Sequence, residues 1–306
     1  MQKILFTGSG GAATELIWRI LNKKYDLYFA DMEISTISST IPFEKKIKIP
    51  EAKDKNFITS LISITRNLGI SYIVPGVDEE LPLIAKEREK FPCLVYLPSE
   101  TFINLTNNKL KFSRSIELNG FFSLNTEKVS KKIYKNFPKV IKPIYGRGSR
   151  GFMVVKTNRQ INAYKEVYPE YKNNLLIQQY FEGDEYTVFV SSNVNGKLNC
   201  IIPVKVNIKR GITINAHIDH NEHIIKQIKI FHNKYKTFGP YNVQCFINER
   251  NEVAIFEVNP RVSTTFCLIL ALGFDPFEIY NIDAEIYKID KKLELKRYWY
   301  NDVNEM

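Results

Sequence analysis

The sequence predicts an α/β N-terminal lobe, doubly wound around a parallel sheet, followed by an α+β region of antiparallel strands with interposed helices. Three observations carry this expectation. Short strand patterns alternate with helical periodicity up to about residue 98. Beyond that point the alternation stops, and apolar strand patterns follow one another across glycine-rich or polar turns. With 306 residues, 44% of them hydrophobic and 25% charged, the chain has the composition of a globular protein with room for two or three packed lobes.

The first element is a buried-strand pattern, Lys3 to Thr7, ended by the turn Gly8-Ser9-Gly10-Gly11 and followed by a helical stripe through Leu16, Ile17, Ile20 and Leu21. Further strands are expected at Tyr25 to Ala30, Ser71 to Val74 and Leu94 to Leu97, with helices over 54–68 and 78–90. Gly8-x-Gly10-x-x-Ala13, with Asp31 ending the second strand, satisfies the dinucleotide-binding pattern. Free amides and the helix dipole at such a turn attract a carboxylate as well as a pyrophosphate. Close strand–helix packing alone also accounts for these glycines, so the sequence leaves open whether Gly8 to Gly11 bind substrate or only pack. Gly76-Val77-Asp78-Glu79-Glu80 follows the third strand at its carboxyl end, where ligands usually sit, and Asp78 is expected to cap the next helix.

In the second half, Val140-Ile141-Lys142-Pro143 is a strand pattern leading into Tyr145-Gly146-Arg147-Gly148-Ser149-Arg150-Gly151 and a strand at Phe152 to Val155. Strand, glycine loop, strand makes a flap, unlike a Walker A loop, which leads into a helix. Its glycines let backbone amides reach phosphate oxygens, and the adjoining lysine adds a point charge; a plain hairpin is the simpler alternative. Leu175 to Val188 then reads as strand, polar break and strand. The break can offer backbone groups to an adenine edge, and Glu185 is either an acceptor for ribose hydroxyls or a solvated acid at a strand end.

The most specific feature pairs Tyr241 to Ile247 with Val253 to Asn259, joined by the turn Asn248 to Asn251 and continued by Pro260-Arg261-Val262-Ser263. Period-2 alternation puts Glu257 and Asn259 on one face, with Gln244 on a neighbouring strand able to join them. Hard oxygen donors beside a phosphate site suit magnesium. Arg261, just past the strand, is placed to stabilise charge on a transferring phosphoryl group or tetrahedral intermediate.

Lysine and arginine outnumber aspartate and glutamate by 43 to 33, but the basic residues are scattered and no nucleic-acid motif accompanies them. Cys93, Cys200, Cys245 and Cys267 form no C-x-x-C pair, so reduced thiols are expected. The longest apolar run, Phe266 to Phe274, is too short to cross a bilayer, so the expected setting is cytoplasmic, with no nucleic-acid or membrane partner. His217, His220 and His223 are read as peripheral, with Asp219 to Glu222 forming a turn and cap before a helix over 222–236.

From about residue 98 to 285 the chain resembles the ATP-grasp superfamily. Asn-Val-Gln at 242–244 and Glu-Val-Asn-Pro-Arg-Val-Ser at 257–263 are most similar to a single ATP-binding unit of the carbamoyl-phosphate synthase large subunit, and Val74 to Leu81 is similar to the lobe that precedes it there. The resemblance implies a pre-ATP-grasp lobe over 1–98, a helical linker and small lobe with the flap over 99–183, and a large lobe over 184–306. It implies that Lys109 and Lys142 hold ATP phosphates under a flap containing Gly146, Gly148, Ser149 and Gly151. Gln178, the Gln179 carbonyl and the Phe181 amide would meet adenine, and Glu185 the ribose. Gln244, Glu257 and Asn259 would bind two magnesium ions, with manganese as a substitute, and Arg261 the acyl phosphate. Lys205 and Arg210 align loosely with basic residues that meet substrate or phosphate.

Two departures qualify the resemblance. Gln178 is neutral where an acid is common, and the chain is too short for a carbamoyl-phosphate synthase. The function implied is an amide-forming ligase joining a small carboxylate to an amine through an acyl phosphate, with a homodimer as the candidate assembly. Similar stand-alone proteins point to specialised amide formation, including modification of cell-surface sugars. A non-catalytic ATP sensor and an NAD-linked oxidoreductase are the alternatives. Strand-like Leu293 to Tyr300 is expected to pair back onto the large lobe.

Overall fold

The computed structural model describes residues 1–284, 286 and 290–298. Its N-terminal strands are β1 (Lys3–Thr7), β2 (Asp26–Asp31), β3 (Lys46–Lys48), β4 (Tyr72–Val74) and β5 (Leu94–Val95), in the order β3-β2-β1-β4-β5 with every pair parallel. Helices α1 (Thr14–Leu21), α2 (Phe57–Leu68) and α3 (Leu81–Lys86) lie in the crossovers that parallel pairing requires. Alternation along β1 sends Ile4 and Phe6 to the α1 side and Leu5 to the side of α2 and α3, so both faces are buried. Strand β3 is an addition to the pattern expected from sequence. Three residues with lysine at both ends show no periodicity, and the strand forms by pairing with the edge of β2.

The strand order reverses between β1 and β4, which brings the loops leaving them together at their carboxyl ends. A Cβ on Gly8 would lie 2.3 Å from Val77 Cγ2, and one on Gly76 would lie 2.5 Å from the Thr7 carbonyl oxygen. The glycines are what allow these loops to touch. The Gly10 amide donates to the Asp31 carboxylate at 2.9 Å, so one of the turn's anion-binding donors is already engaged by its own chain. Helix α3 begins at Leu81, with Glu80 in the cap position and no side-chain cap bond. The expected capping role of Asp78 is therefore corrected: its carboxylate turns to Arg261, a stronger charge-assisted partner than a backbone amide.

Helices α4 (Glu100–Thr106) and α5 (Lys109–Leu118) follow, capped by the side chains of Ser99 and Asn108. Strands β6 (Thr126–Lys128), β7 (Lys139–Pro143), β8 (Met153–Val155) and β9 (Leu175–Gln179) make an antiparallel sheet in the order β6-β9-β7-β8, packed on α6 (Asn158–Val167). A six-stranded sheet completes the fold, with β10 (Asp184–Ser192), β11 (Leu198–Arg210), β12 (Ile212–Ile218), β13 (Gly239–Ile247), β14 (Val253–Asn259) and β15 (Glu294–Lys296). Helix α7 (Glu222–Tyr235) connects β12 to β13, capped by Asn221 as expected. Strand β15 pairs with β12, so the tail returns to this sheet; Trp299 and Tyr300, the end of the expected strand, lie outside the described residues.

Alternation along β10 divides the six-stranded sheet between two cores. Tyr186, Val188 and Val190 pack with α4, α5 and α7, whereas Phe189 packs with α8 (Phe266–Ala271), α9 (Pro276–Ile279) and the N-terminal sheet. Phe277 of α9 inserts between Phe6, Tyr25, Tyr72 and Tyr96, with ring centroids 5.3 to 6.3 Å away. Each such aromatic pair adds roughly 0.5–1.5 kcal/mol beyond area burial, so the N-terminal lobe is firmly seated on the large sheet. Toward the start of β10 the same face changes from Phe189 to Thr187 and Glu185. There the core gives way to a cavity.

Candidate active site

The cavity, of about 420 Å³, lies between the four-stranded and six-stranded sheets under the loop joining β7 to β8. Its lining contains Lys109, Lys142, Arg147, Arg150, Lys209 and Arg261 against the carboxylates Glu185 and Glu257. That imbalance favours an anionic ligand.

Gln244 of β13 stands directly opposite Glu257 of β14, and Asn242 opposite Asn259. Gln244, Glu257 and Asn259 all line the cavity. The next pair in the ladder is Cys245 with Ile255, which leaves Phe256 as an extra residue. This bulge breaks the alternation and lets Phe256 and Glu257 face the same side, where Phe256 stacks on Phe246 at 4.8 Å. One carboxylate with two amide oxygens is a hard donor set suited to magnesium, which usually takes one or two protein carboxylates and completes its shell with water and phosphate.

Lys109 opens α5, with its amide bonded to the Ile144 carbonyl. Its ammonium lies 3.9 Å from Glu257 and donates to the Gly146 carbonyl at 2.5 Å. Lys142, on β7, is 6% exposed and stands over the Phe256 ring at 5.4 Å. Among the described residues no carboxylate lies within 4 Å of it, and burial brings its pKa down to about 8, with Glu257 pulling upward and Lys109 and Lys209 pushing further down. A buried, unpaired ammonium is well matched to a phosphate.

The flap is anchored at both ends. Asn108 donates to the Tyr145 hydroxyl at 2.7 Å, and the Tyr164 hydroxyl donates to the Gly151 carbonyl at 2.5 Å. Gly151 has φ +67°, and a Cβ there would lie 2.7 Å from that same tyrosine oxygen. Gly146, Gly148 and Ser149 line the cavity, whereas Gly151 serves as the outer anchor. Arg147 reaches across to Glu79 of the N-terminal lobe, Nε to Oε2 3.1 Å.

At the far end Gln178, Gln179 and Phe181 line the cavity with Leu124, Val140, Phe246 and Phe256 as apolar walls. The buried Gln178 side chain donates to the Thr126 hydroxyl at 2.8 Å, and the Gln179 amide to the Asn125 carbonyl at 2.9 Å. Glu185 also lines the cavity, accepting a hydrogen bond from Lys209.

Lys205 and Arg210, singled out from sequence, stand outside the cavity. Lys205 pairs with Asp184 at 2.7 Å, and Arg210 is exposed beside the hairpin turn. Irregularities in the β11–β12 ladder at Val206/Ile208 and Ile208/Lys209 change the alternation, and Lys209 turns inward instead. Alternation from Gln244 could have added Phe246 to the expected lining. Phe256 depends on the bulge, and the Asp78–Arg261 contact spans 183 residues, so neither had a local signal. The histidines are dispersed: His220 and His223 are exposed and His217 contacts Asn207.

Residues 171–280 match the family model described as ATP-grasp in the biosynthetic pathway with Ter operon. The match takes in β9 through α9, including Gln178, Gln244, Glu257, Asn259 and Arg261. The chain has an ATP-grasp fold. N5-carboxyaminoimidazole synthetase from Staphylococcus aureus, complexed with ADP, superposes with a TM-score of 0.69 at 12% identity, over 96% of this chain and 81% of that one. L-amino acid ligase from Bacillus licheniformis gives 0.67 at 13% identity, over 92% and 73%. The biotin carboxylase domain dimer of Hydrogenobacter thermophilus 2-oxoglutarate carboxylase, with MgADP and bicarbonate, gives 0.66 at 14% identity, over 96% and 73%. At these identities the similarity concerns the ATP-grasp fold. No curated protein matches the sequence.

Proposed function

We propose that this protein is an ATP- and magnesium-dependent ligase that joins a carboxylate to an amine through an acyl phosphate. The observation that carries the reading is the convergence of Lys109, Lys142, the flap, Gln244, Glu257, Asn259 and Arg261 on one cavity. L-amino acid ligase and the ADP complex of N5-carboxyaminoimidazole synthetase, which share the fold, support it.

In this mechanism Lys109, Lys142 and the flap amides hold the phosphates of ATP, while the aromatic wall and the Gln178 to Phe181 connector hold the base. Gln244, Glu257 and Asn259 would hold magnesium, which when bound supplies charge neutralisation at the phosphate oxygens. A substrate carboxylate oxygen attacks the γ-phosphorus, the bond to the β-phosphate oxygen breaks, and ADP leaves. The amine then attacks the acyl carbon, phosphate departs and the amine nitrogen loses a proton. Arg261 stabilises the developing negative charge, and closure of the flap excludes water that would hydrolyse the acyl phosphate. Positioning and electrostatics do most of the work, so the chain needs no side-chain nucleophile.

Among the described residues no helix is long and apolar enough to cross a membrane, and all four cysteines are free. A cytoplasmic setting fits this chemistry. The test is release of ADP and phosphate across a panel of acids and amines. Glu257→Ala and Arg261→Ala should each lower substrate-dependent ADP release by roughly a hundredfold or more. Full activity in both variants would overturn the assignment, and ATP binding without ADP release in the wild type would favour the sensor.

A further inference from the structure

Arg261 stands at the junction of three segments: the end of β14, the cavity, and the loop leaving β4. Its Nε donates to Asp78 Oδ1 at 2.5 Å and its Nη1 donates to the Val262 carbonyl at 2.9 Å. The two charged side chains are only 15% and 20% exposed, so water screens the contact weakly. Among the described residues no acceptor engages Nη2, while Arg261 lines the cavity and Asp78 does not. The guanidinium is therefore held through Nε and Nη1, and Nη2 is left without a protein acceptor among the described residues in a side chain that lines the cavity.

Resting on the ligase reading above, we propose that Asp78 is a positioning residue for Arg261: the N-terminal lobe's contribution to the chemistry is to fix this arginine, before any ligand arrives, in the orientation that meets the transferring phosphoryl group. An arginine side chain loses about 2 kcal/mol of rotamer entropy when ordered, and a planar guanidinium gives its full electrostatic benefit only when correctly aimed. Holding it in advance moves that ordering cost from the reaction into folding. The scaffold for Asp78 is itself rigid. Gly76 N donates to the Thr7 hydroxyl at 3.3 Å, that hydroxyl donates to buried Glu80, and Val77 lies against Gly8. The neighbouring Glu79 meets Arg147 of the flap, so consecutive acids on one loop contact the arginine and the flap.

The experiment compares MgADP with MgADP plus aluminium fluoride, a mimic of the transferring phosphoryl group, by isothermal titration on the full chain. Wild type, Asp78→Ala, Asp78→Asn, Arg261→Ala and the double variant are measured, with unfolding midpoints recorded for each. Wild type should bind the fluoride complex more tightly than MgADP alone. Asp78→Ala should lose roughly ten- to a hundredfold of that extra affinity while binding MgADP as before, and Asp78→Asn should lose less, because its amide oxygen still accepts from Nε. In the Arg261→Ala background, Asp78→Ala should have no further effect, the signature of a residue acting only through its partner.

Unchanged fluoride affinity in Asp78→Ala, additive losses in the double variant, or an equal loss of MgADP affinity would each overturn the proposal, the last by assigning Asp78 a general structural role. Absence of MgADP binding in the wild type would overturn the nucleotide reading itself. Normal MgADP binding with no gain from fluoride would overturn only the role given to Arg261 and Asp78.

Discussion

Replacing Glu80 by glutamine tests the electrostatics of the loop that carries Asp78. Glu80 is 5% exposed and accepts a hydrogen bond from the Thr7 hydroxyl. Burial is the main cause that pushes its pKa up, from 4.5 to about 7; the Thr7 bond opposes it, Asp31 and Glu79 add to it, and Arg147 opposes it. Below the unfolded-state value of 4.5 both states are protonated, and the full stabilising contribution is present. As pH rises the unfolded chain ionises first, and stability falls until the folded-state value near 7 is passed. The displacement corresponds to a loss of roughly 3 kcal/mol between these limits.

Glutamine keeps an acceptor for Thr7 and does not titrate. Glu80→Gln should therefore be more stable than wild type by roughly 2–3 kcal/mol at pH 8.5, and within about 1 kcal/mol of it at pH 5. Urea unfolding at the two pH values, followed by fluorescence, measures the difference. A constant difference between the proteins at both pH values, or a less stable variant at pH 8.5, would refute the reasoning.

Lys142, with its pKa brought down to about 8, should be charged in the nucleotide complex but increasingly neutral in the free protein above that pH. ATP affinity should fall by up to about tenfold per pH unit above 8, accompanied by proton uptake in calorimetry, and Lys142→Met should weaken binding and flatten the profile. His232 is 3% exposed, its ring nitrogens 2.9 Å from the Tyr241 hydroxyl and the Gly196 carbonyl, and burial lowers its pKa below 6.5. Its stabilising contribution is present above 6.5 and is lost as pH falls toward the lower folded-state value. The stability deficit of His232→Gln relative to wild type, about 1–3 kcal/mol at pH 7.5, should accordingly shrink at pH 5 in thermal unfolding scans.

What was legible in the sequence was whatever periodicity or turn chemistry writes locally. The β1-turn-α1 unit, the strand–flap–strand segment and the β13–β14 hairpin each carry their pattern within a few residues, and Gln244, Glu257 and Asn259 could be set on a common face by counting. Tertiary structure decided the rest, because those features depend on partners far along the chain or on breaks in the alternation. The β14 bulge turned Phe256 into the cavity, irregular pairing between β11 and β12 exchanged Arg210 for Lys209, and the β1–β4 reversal carried Asp78 to Arg261. The residue types that line the cavity could thus be read along the chain. How the arginine among them is held is a property of two lobes packed against each other, expressed by no single segment.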